Sequence, residues 1–245
     1  MIHMYLEQAP RSELRESIAC VWTACASGDR HGVLPDGMVD IVWARGREPW
    51  VAGPDSTARS ATVPKGAPQA GIRFLPGTAS PILAVPVSEL LDRRVPLAEF
   101  WPHKLVQRLR ERLDRSNSRG EAMLALEDLV QERLADAPRP DALVAAKVLE
   151  IVRRVPAQPR SAGDLARLAG ISERQLRRRF VAAIGYGPKM FERVTRFQHF
   201  RRLASLTPGR GLASLAADAG YADQAHLSRE CMKLSGNPPS AATLA

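Results

Sequence analysis

The hydrophobic pattern divides the chain in two. From residue 141 onward apolar side chains recur at the spacing of a helix face: Val144, Val148, Ile151 and Val155 make one stripe, Leu176 and Phe180 a second, Leu227 and Cys231 a third. Before residue 100 the picture changes. Glycine and proline interrupt residues 35–86 every few positions, and the segments between them, 38–44, 71–75 and 82–85, have strand composition, with a turn at Pro35, Asp36 and Gly37. Residues 13–26, 104–113 and 121–135 have helical spacing. The expected fold is therefore α+β: a small β-barrel over residues 1–100, a helical extension over 101–140, and an all-α domain over 141–245.

A motif is written twice in the helical domain. Leu165-Ala166-Arg167-Leu168-Ala169-Gly170 returns fifty positions later as Leu215-Ala216-Ala217-Asp218-Ala219-Gly220, and each copy precedes a second helical run that is polar at its start. Short helix, glycine turn and second helix make the helix-turn-helix unit, whose second helix enters the DNA major groove. Gly170 and Gly220 supply the permissive backbone of the turn, and Ser172 and Asp223 are placed to cap the second helices. With the apolar stripes turned inward, Arg174, Gln175, Arg177 and Arg178 remain on the outer face of the first unit, and Gln224, His226, Ser228 and Arg229 on that of the second. Two plain helical hairpins with solvated faces would leave the same stripes; matched glycines and donor-rich second helices in both copies favour DNA.

Charge points the same way. Residues 141–245 hold 17 Lys and Arg against 8 Asp and Glu, whereas residues 1–140 hold 18 of each, so the whole net charge of +9 lies on the helical domain. Such a segment attracts phosphate irrespective of sequence and loses affinity with salt. No run approaches the roughly 18 apolar residues of a membrane span, and no lipidation signal or signal peptide is seen, so no membrane partner and a cytoplasmic location are expected. No nucleophile motif, phosphate loop or metal-ligand spacing is present; no enzyme activity, metal or cofactor is expected.

Residues 141–245 resemble the DNA-binding domain of the AraC/XylS transcriptional regulators. The similarity is carried by Ala219-Gly220-Tyr221-Ala222-Asp223-Gln224-Ala225-His226-Leu227-Ser228-Arg229 and by Gly185-Tyr186-Gly187-Pro188. The resemblance implies that residues 188–206 form the helix joining the two units. At about 1.5 Å per residue it would span roughly 28 Å, close to the roughly 34 Å between successive major-groove faces, so one subunit would read two adjacent grooves of double-stranded DNA at an asymmetric site. It implies base or phosphate contacts for Arg174, Arg177 and Arg178 in the first unit and for Gln224, His226 and Arg229 in the second. A good bidentate base contact discriminates by about 1–3 kcal/mol. Activation rather than repression, with RNA polymerase as a candidate partner, also follows from the resemblance. Cys231 and Met232 depart from the family pattern of an aromatic and a basic residue, and Phe200 stands where a small residue is more usual.

Nearer the start, Pro35-Asp36-Gly37 with Asp40, then Gly53-Pro54 and the run from Gly71 to Gly77 resemble the N-terminal domain of a less characterised branch of the same regulators. This implies a sensing or dimerisation domain, often a cupin-like barrel, and a small-molecule effector. From the residues themselves, Trp22, Asp36, Asp40, Trp43 and Arg73 offer the aromatic surface and charge of a small-molecule site. Strand alternation sets Val39, Ile41 and Trp43 on one side and Asp40 and Val42 on the other, so Asp40 and Trp43 share a lumen only across a bulge. Arg73, between Ile72 and Phe74, either reaches the rim or meets a carboxylate, from Asp36, Asp40 or a ligand. Cys20 and Cys25, preceding His31, raise a thiol, alkylation or redox sensor as an alternative, but on a helix they would point about 140° apart, and three cysteines make no complete disulfide framework. A nonspecific DNA-compacting protein is the other alternative. Over residues 121–135, Met123, Leu124, Leu126, Leu129, Val130 and Leu134 form a stripe that is either a homodimer seam or packing against the barrel's flank.

Overall fold

The computed structural model describes residues 4–25, 31–61, 66–155 and 162–242. Its strands are β1 (Met4–Gln8), β2 (Ile18–Cys25), β3 (His31–Val33), β4 (Asp40–Ala44), β5 (Trp50–Ala52), β6 (Arg59–Ala61), β7 (Pro68–Phe74) and β8 (Arg94–Pro96). Six of them form one antiparallel sheet in the order β1-β2-β7-β4-β5-β8, and β3 pairs with β6 in a separate ribbon. Helices α1 (Ala79–Leu83), α2 (His103–Arg115) and α3 (Arg119–Asp136) follow, and then α4 (Ala142–Arg154) to α10 (Pro239–Ala242). The α+β class is as the sequence predicts.

One face of the sheet is covered by α3, which packs on β2 and β7. Val21, Ile41, Trp43, Ile72 and Phe74 from the strands meet Met123, Leu126, Leu129 and Val130 from the helix in a single core. The α3 stripe is therefore packing within the chain. Leu134 is partly buried against the same core, and Leu124, 49% exposed, is left facing outward.

Two segments differ from expectation. Residues 18–25 form the strand β2, not part of a helix over 13–26, where Ser12–Leu14 alone make a short 3-10 turn. Nearly all of β2 is buried, because α3 covers one face and a cavity wall lies on the other. A strand buried on both faces loses its apolar-polar alternation and reads as a generic apolar run. Residues 82–85, expected as a strand, instead lie at the end of α1, which stops at Ala84 in the left-handed region (φ 57°) before Pro86. Thr78 precedes this helix, and its hydroxyl donates within hydrogen-bonding reach of the Ser17 and Leu75 carbonyls, at 2.6 and 2.9 Å.

The helical domain follows its sequence pattern closely. Asp141 caps α4 by accepting from the Leu143 and Val144 amides. Helix α5 spans Ala162–Leu168, α6 Glu173–Ile184, α7 Pro188–Leu206, α8 Leu212–Asp218 and α9 Gln224–Ser235. Val144, Val148 and Ile151 of α4 join Phe180, Phe197, Phe200, Leu227 and Cys231 in one cluster. Phe200 and Cys231 are both fully buried there: a large side chain on α7 accompanies a small one on α9, consistent with compensating volume changes in a close-packed interior.

Several contacts dock the sheet domain on this cluster. Gly185, at the end of α6, lies against Pro54 and Val87. The Pro35 carbonyl accepts from Gln198 Nε2 of α7 at 2.6 Å, and the Leu234 carbonyl of α9 accepts from the Ala58 amide at 2.7 Å.

Candidate nucleic-acid interface and effector cavity

The two helix-turn-helix units repeat the same turn at the level of hydrogen bonds. Gly170 N–H donates to Arg167 and Ile171 N–H to Ala166; Gly220 N–H donates to Ala217 and Tyr221 N–H to Ala216. Both glycines sit at positive φ, 66° and 79°. This paired closure satisfies the last carbonyls of the first helix and turns the chain sharply into the second. Ser172 and Asp223 then cap α6 and α9 as the sequence predicts, Ser172 in a capping box with Gln175.

On α6, Arg174, Arg177 and Arg178 are exposed with the sheet domain docked. Gln175 is exposed too, but its Oε1 accepts from the Ser172 amide at 2.8 Å. That oxygen is the acceptor a bidentate contact with adenine needs, so Gln175 reads a base only by opening its own cap. On α9, Gln224 and Arg229 are exposed, and Ser228 is half-buried. His226 turns back: its Nδ1 accepts from the Ala222 amide at 3.4 Å and its ring meets Tyr221 edge-on at 5.3 Å. Arg196 of α7 stacks over the other partner of that contact, 5.5 Å from the Tyr221 ring.

Behind these units lies a cavity of about 1070 Å³. Its floor is the sheet face opposite the core, and its roof includes Val152 and Val155 near the end of α4 and Phe191, Thr195, Gln198 and Arg202 of α7. Of the residues expected from sequence, Trp22, Asp36, Asp40 and Arg73 meet here. Trp43 does not. It is 1% exposed in the core on the other face, because β4 pairs with β7 in unbroken register from Asp40 to Ala44 and the alternation of the strand is kept. Gln69, Trp50, Arg94 and the whole α7 wall also line the cavity, none of them signalled by the local sequence pattern.

Arg73 is the centre of the charged part of the floor. Its Nε and Nη2 each lie 3.0 Å from an oxygen of Asp40, with Asp36 at 3.7 Å and Glu7 at 3.5 Å. Trp22 Nε1 also donates to Asp40, at 3.1 Å. Burial works against the Arg73 charge, but Asp40 and Asp36 outweigh it and hold the guanidinium firmly protonated. Burial raises the Asp36 carboxyl above its ordinary 3.8, and Asp40 adds to the rise while Arg73 opposes it.

A native carboxyl raised in this way binds protons that the unfolded chain has already released. Stability therefore falls as pH rises from the unfolded value through the native one, and the full cost is present above both. Asp36→Asn keeps an oxygen for the Met38 amide that Asp36 Oδ1 now serves. We expect the Asn variant to melt above the parent chain at pH 7 and to converge with it as pH falls towards 3.8; thermal denaturation across that range checks it, and a gap independent of pH would remove Asp36 ionisation as its cause.

Cys20 and Cys25 both lie on β2, opposite Arg73 and Pro68. Burial pushes the Cys20 thiol up to about 12, the reverse of what a reactive thiolate requires. The His31 side chain lies outside the described set.

Two exposed second helices, each capped at its start and joined by one long helix, define a double helix-turn-helix protein. Residues 165–243 match a helix-turn-helix domain family and residues 6–96 a domain of unknown function (DUF6597). The chain therefore carries a helix-turn-helix domain, with this second domain at its N-terminal side. No curated protein sequence matches it. Among solved structures it is similar to ToxT of Vibrio cholerae: an apo variant from strain SCE256 has 11% identity and a TM-score of 0.49, covering 92% of this chain and 96% of that one. Wild-type ToxT of that strain with an unsaturated fatty acid bound has 9% identity and a TM-score of 0.43, covering 98% and 95%. No described helix is long and apolar enough to cross a membrane.

Proposed function

We propose that this chain is a sequence-specific transcription regulator of the cytoplasm, in which residues 1–100 sense a small molecule, 101–140 form a helical extension and 141–245 read two adjacent major grooves of double-stranded DNA. The observation that carries the reading is the double use of α7: the helix that joins the two units also walls the cavity. Ligand and DNA would then bind opposite sides of one element, and each would favour the α7 position that suits the other. Activation, with RNA polymerase as partner, is the direction that the AraC-type resemblance supports.

Arg174, Arg177 and Arg178 supply the contacts of the first unit, and Gln224, Ser228 and Arg229 those of the second. The first unit is expected to dominate affinity, since its outer face is richer in arginine and His226 is held against the turn of the second. Salt titrations of Arg177→Ala and Arg229→Ala on a selected operator fragment check this. Each lost phosphate contact lowers the salt slope by about 0.9, and Arg177→Ala should lose more binding than Arg229→Ala; the reverse order would shift the dominant contacts to the second unit. Selection from random duplexes tests the function itself: enrichment of one asymmetric sequence supports it, and equal affinity for all duplexes supports a compacting protein instead.

A further inference from the structure

The strand register arranges the cavity floor in three transverse rows. One is charged: Arg73 lies opposite Asp40, which lies opposite Ala52, followed by Arg94. The next is aromatic, with Trp22 opposite Gly71, then Val42 and Trp50. The Trp22 indole lies so close over Gly71 that an added Cβ would stand 2.3 Å from it. The third row is small-sided: Ala24, Gln69 and Ala44. Rows on one face are two residues apart, about 7 Å, so the charged and small rows are separated by about 13 Å.

Gln69 is the anomaly of this floor. It lines the cavity and is 8% exposed, and its side-chain nitrogen has no hydrogen-bond partner among the described residues. Its row neighbours are alanines, which offer it nothing. A buried amide without a partner is costly, and one that lines a cavity is placed to be satisfied by what the cavity holds. On the cavity wall Arg47, Arg59, Arg94 and Arg202 join Arg73, against Asp36 and Asp40; Arg59 and Arg94 are also paired with Asp55, and Arg47 lies on the turn after Ala44, at the Gln69 end.

Resting on the reading of this cavity as the effector site, we propose that Gln69 is its specificity-determining donor. The ligand it selects is an aromatic monoanion whose ring lies over the Trp22–Trp50 row, whose charge faces the arginines, and whose neutral acceptor, a carbonyl or ether oxygen, takes the Gln69 N–H after a rotation of the terminal amide. The lining fits this class: aromatic across the middle, with more arginines than carboxylates on the wall and one unpartnered neutral donor in the small-sided row.

The test is calorimetric titration of the full chain with two probes of the same shape, 4-benzoylbenzoate and 4-benzylbenzoate, which differ in a ketone oxygen against a methylene. The parent chain is expected to bind the ketone about five- to tenfold more tightly, the worth of one net hydrogen bond. Gln69→Met should bind both with equal affinity, at the level of the parent with 4-benzylbenzoate, which also reports that the variant is folded. Gln69→Glu, which replaces the donor by an acceptor, should reverse the preference. Equal binding of both probes by the parent, or a ketone preference kept in Gln69→Met, overturns the role of Gln69 and leaves the cavity reading standing. Binding of neither probe by the parent at millimolar concentration overturns the cavity reading itself.

Discussion

Arg73→Met is expected to cost the chain about 3 kcal/mol, which for a protein of this size lowers Tm by roughly 6–12 °C. The reason is what the substitution leaves behind. Asp40, 9% exposed, would keep the Trp22 N–H as its hydrogen bond while losing a two-point contact with the guanidinium. Asp36 would face it with no cation between them. Removing one partner of a buried ion pair is far more damaging than the pair is worth, and the 26% exposure of the Arg73 side chain places the figure at the low end. The check is thermal denaturation of Arg73→Met beside the double variant Arg73→Met with Asp40→Asn. The second change should recover part of the loss, because it discharges the abandoned carboxylate. A loss below about 1 kcal/mol in the single variant would mean that water screens this cluster as it does a surface pair.

The second large effect is expected at Gly185. It closes α6 at φ 98°, and a Cβ there would stand 2.6 Å from Pro54 Cγ and 3.4 Å from the Val87 carbonyl oxygen. Gly185→Ala therefore combines backbone strain with a clash across the domain junction, together about 2–4 kcal/mol. Gly170→Ala separates the two terms. Gly170 also sits at positive φ, 66°, but nothing stands within 4 Å of its Cβ position, so its cost should be the strain of about 1–2 kcal/mol alone. Chemical denaturation of both variants gives the difference, and cleavage by a protease between the sheet domain and α4 reports whether the junction has opened. Equal costs at the two glycines would show that Pro54 yields to the added methyl.

The helical domain was legible in the sequence because its signals are local. A cap, a glycine and a four-residue stripe lie within a dozen positions of each other, and Ser172, Gly170 and Phe180 all act on the segment that carries them. The sheet domain was legible where a turn residue marks the approach to a strand: Asp36 does accept the Met38 amide, and β4 begins two residues further on although both its faces are covered. It failed at β2, where both faces are covered, and at α1, too short for a helical period to show. The α7 wall of the cavity could not have been found this way, since Gln198 meets Pro35 from 163 positions away. Gln69 gave no signal either. A glutamine in a strand is ordinary until its neighbours prove to be alanines and its nitrogen proves to have no partner.

Helix α7 has a mechanical consequence. A rod of 19 residues is roughly 28 Å long, so a tilt of about 10° at one end carries the other through about 5 Å, more than the roughly 3.4 Å that separates neighbouring base pairs. A molecule wedged beside α7 would thus change which spacing of half-sites fits the protein best. The response to such a molecule would be a change of preferred operator length, read out by varying the spacer between the two contacted grooves one base pair at a time.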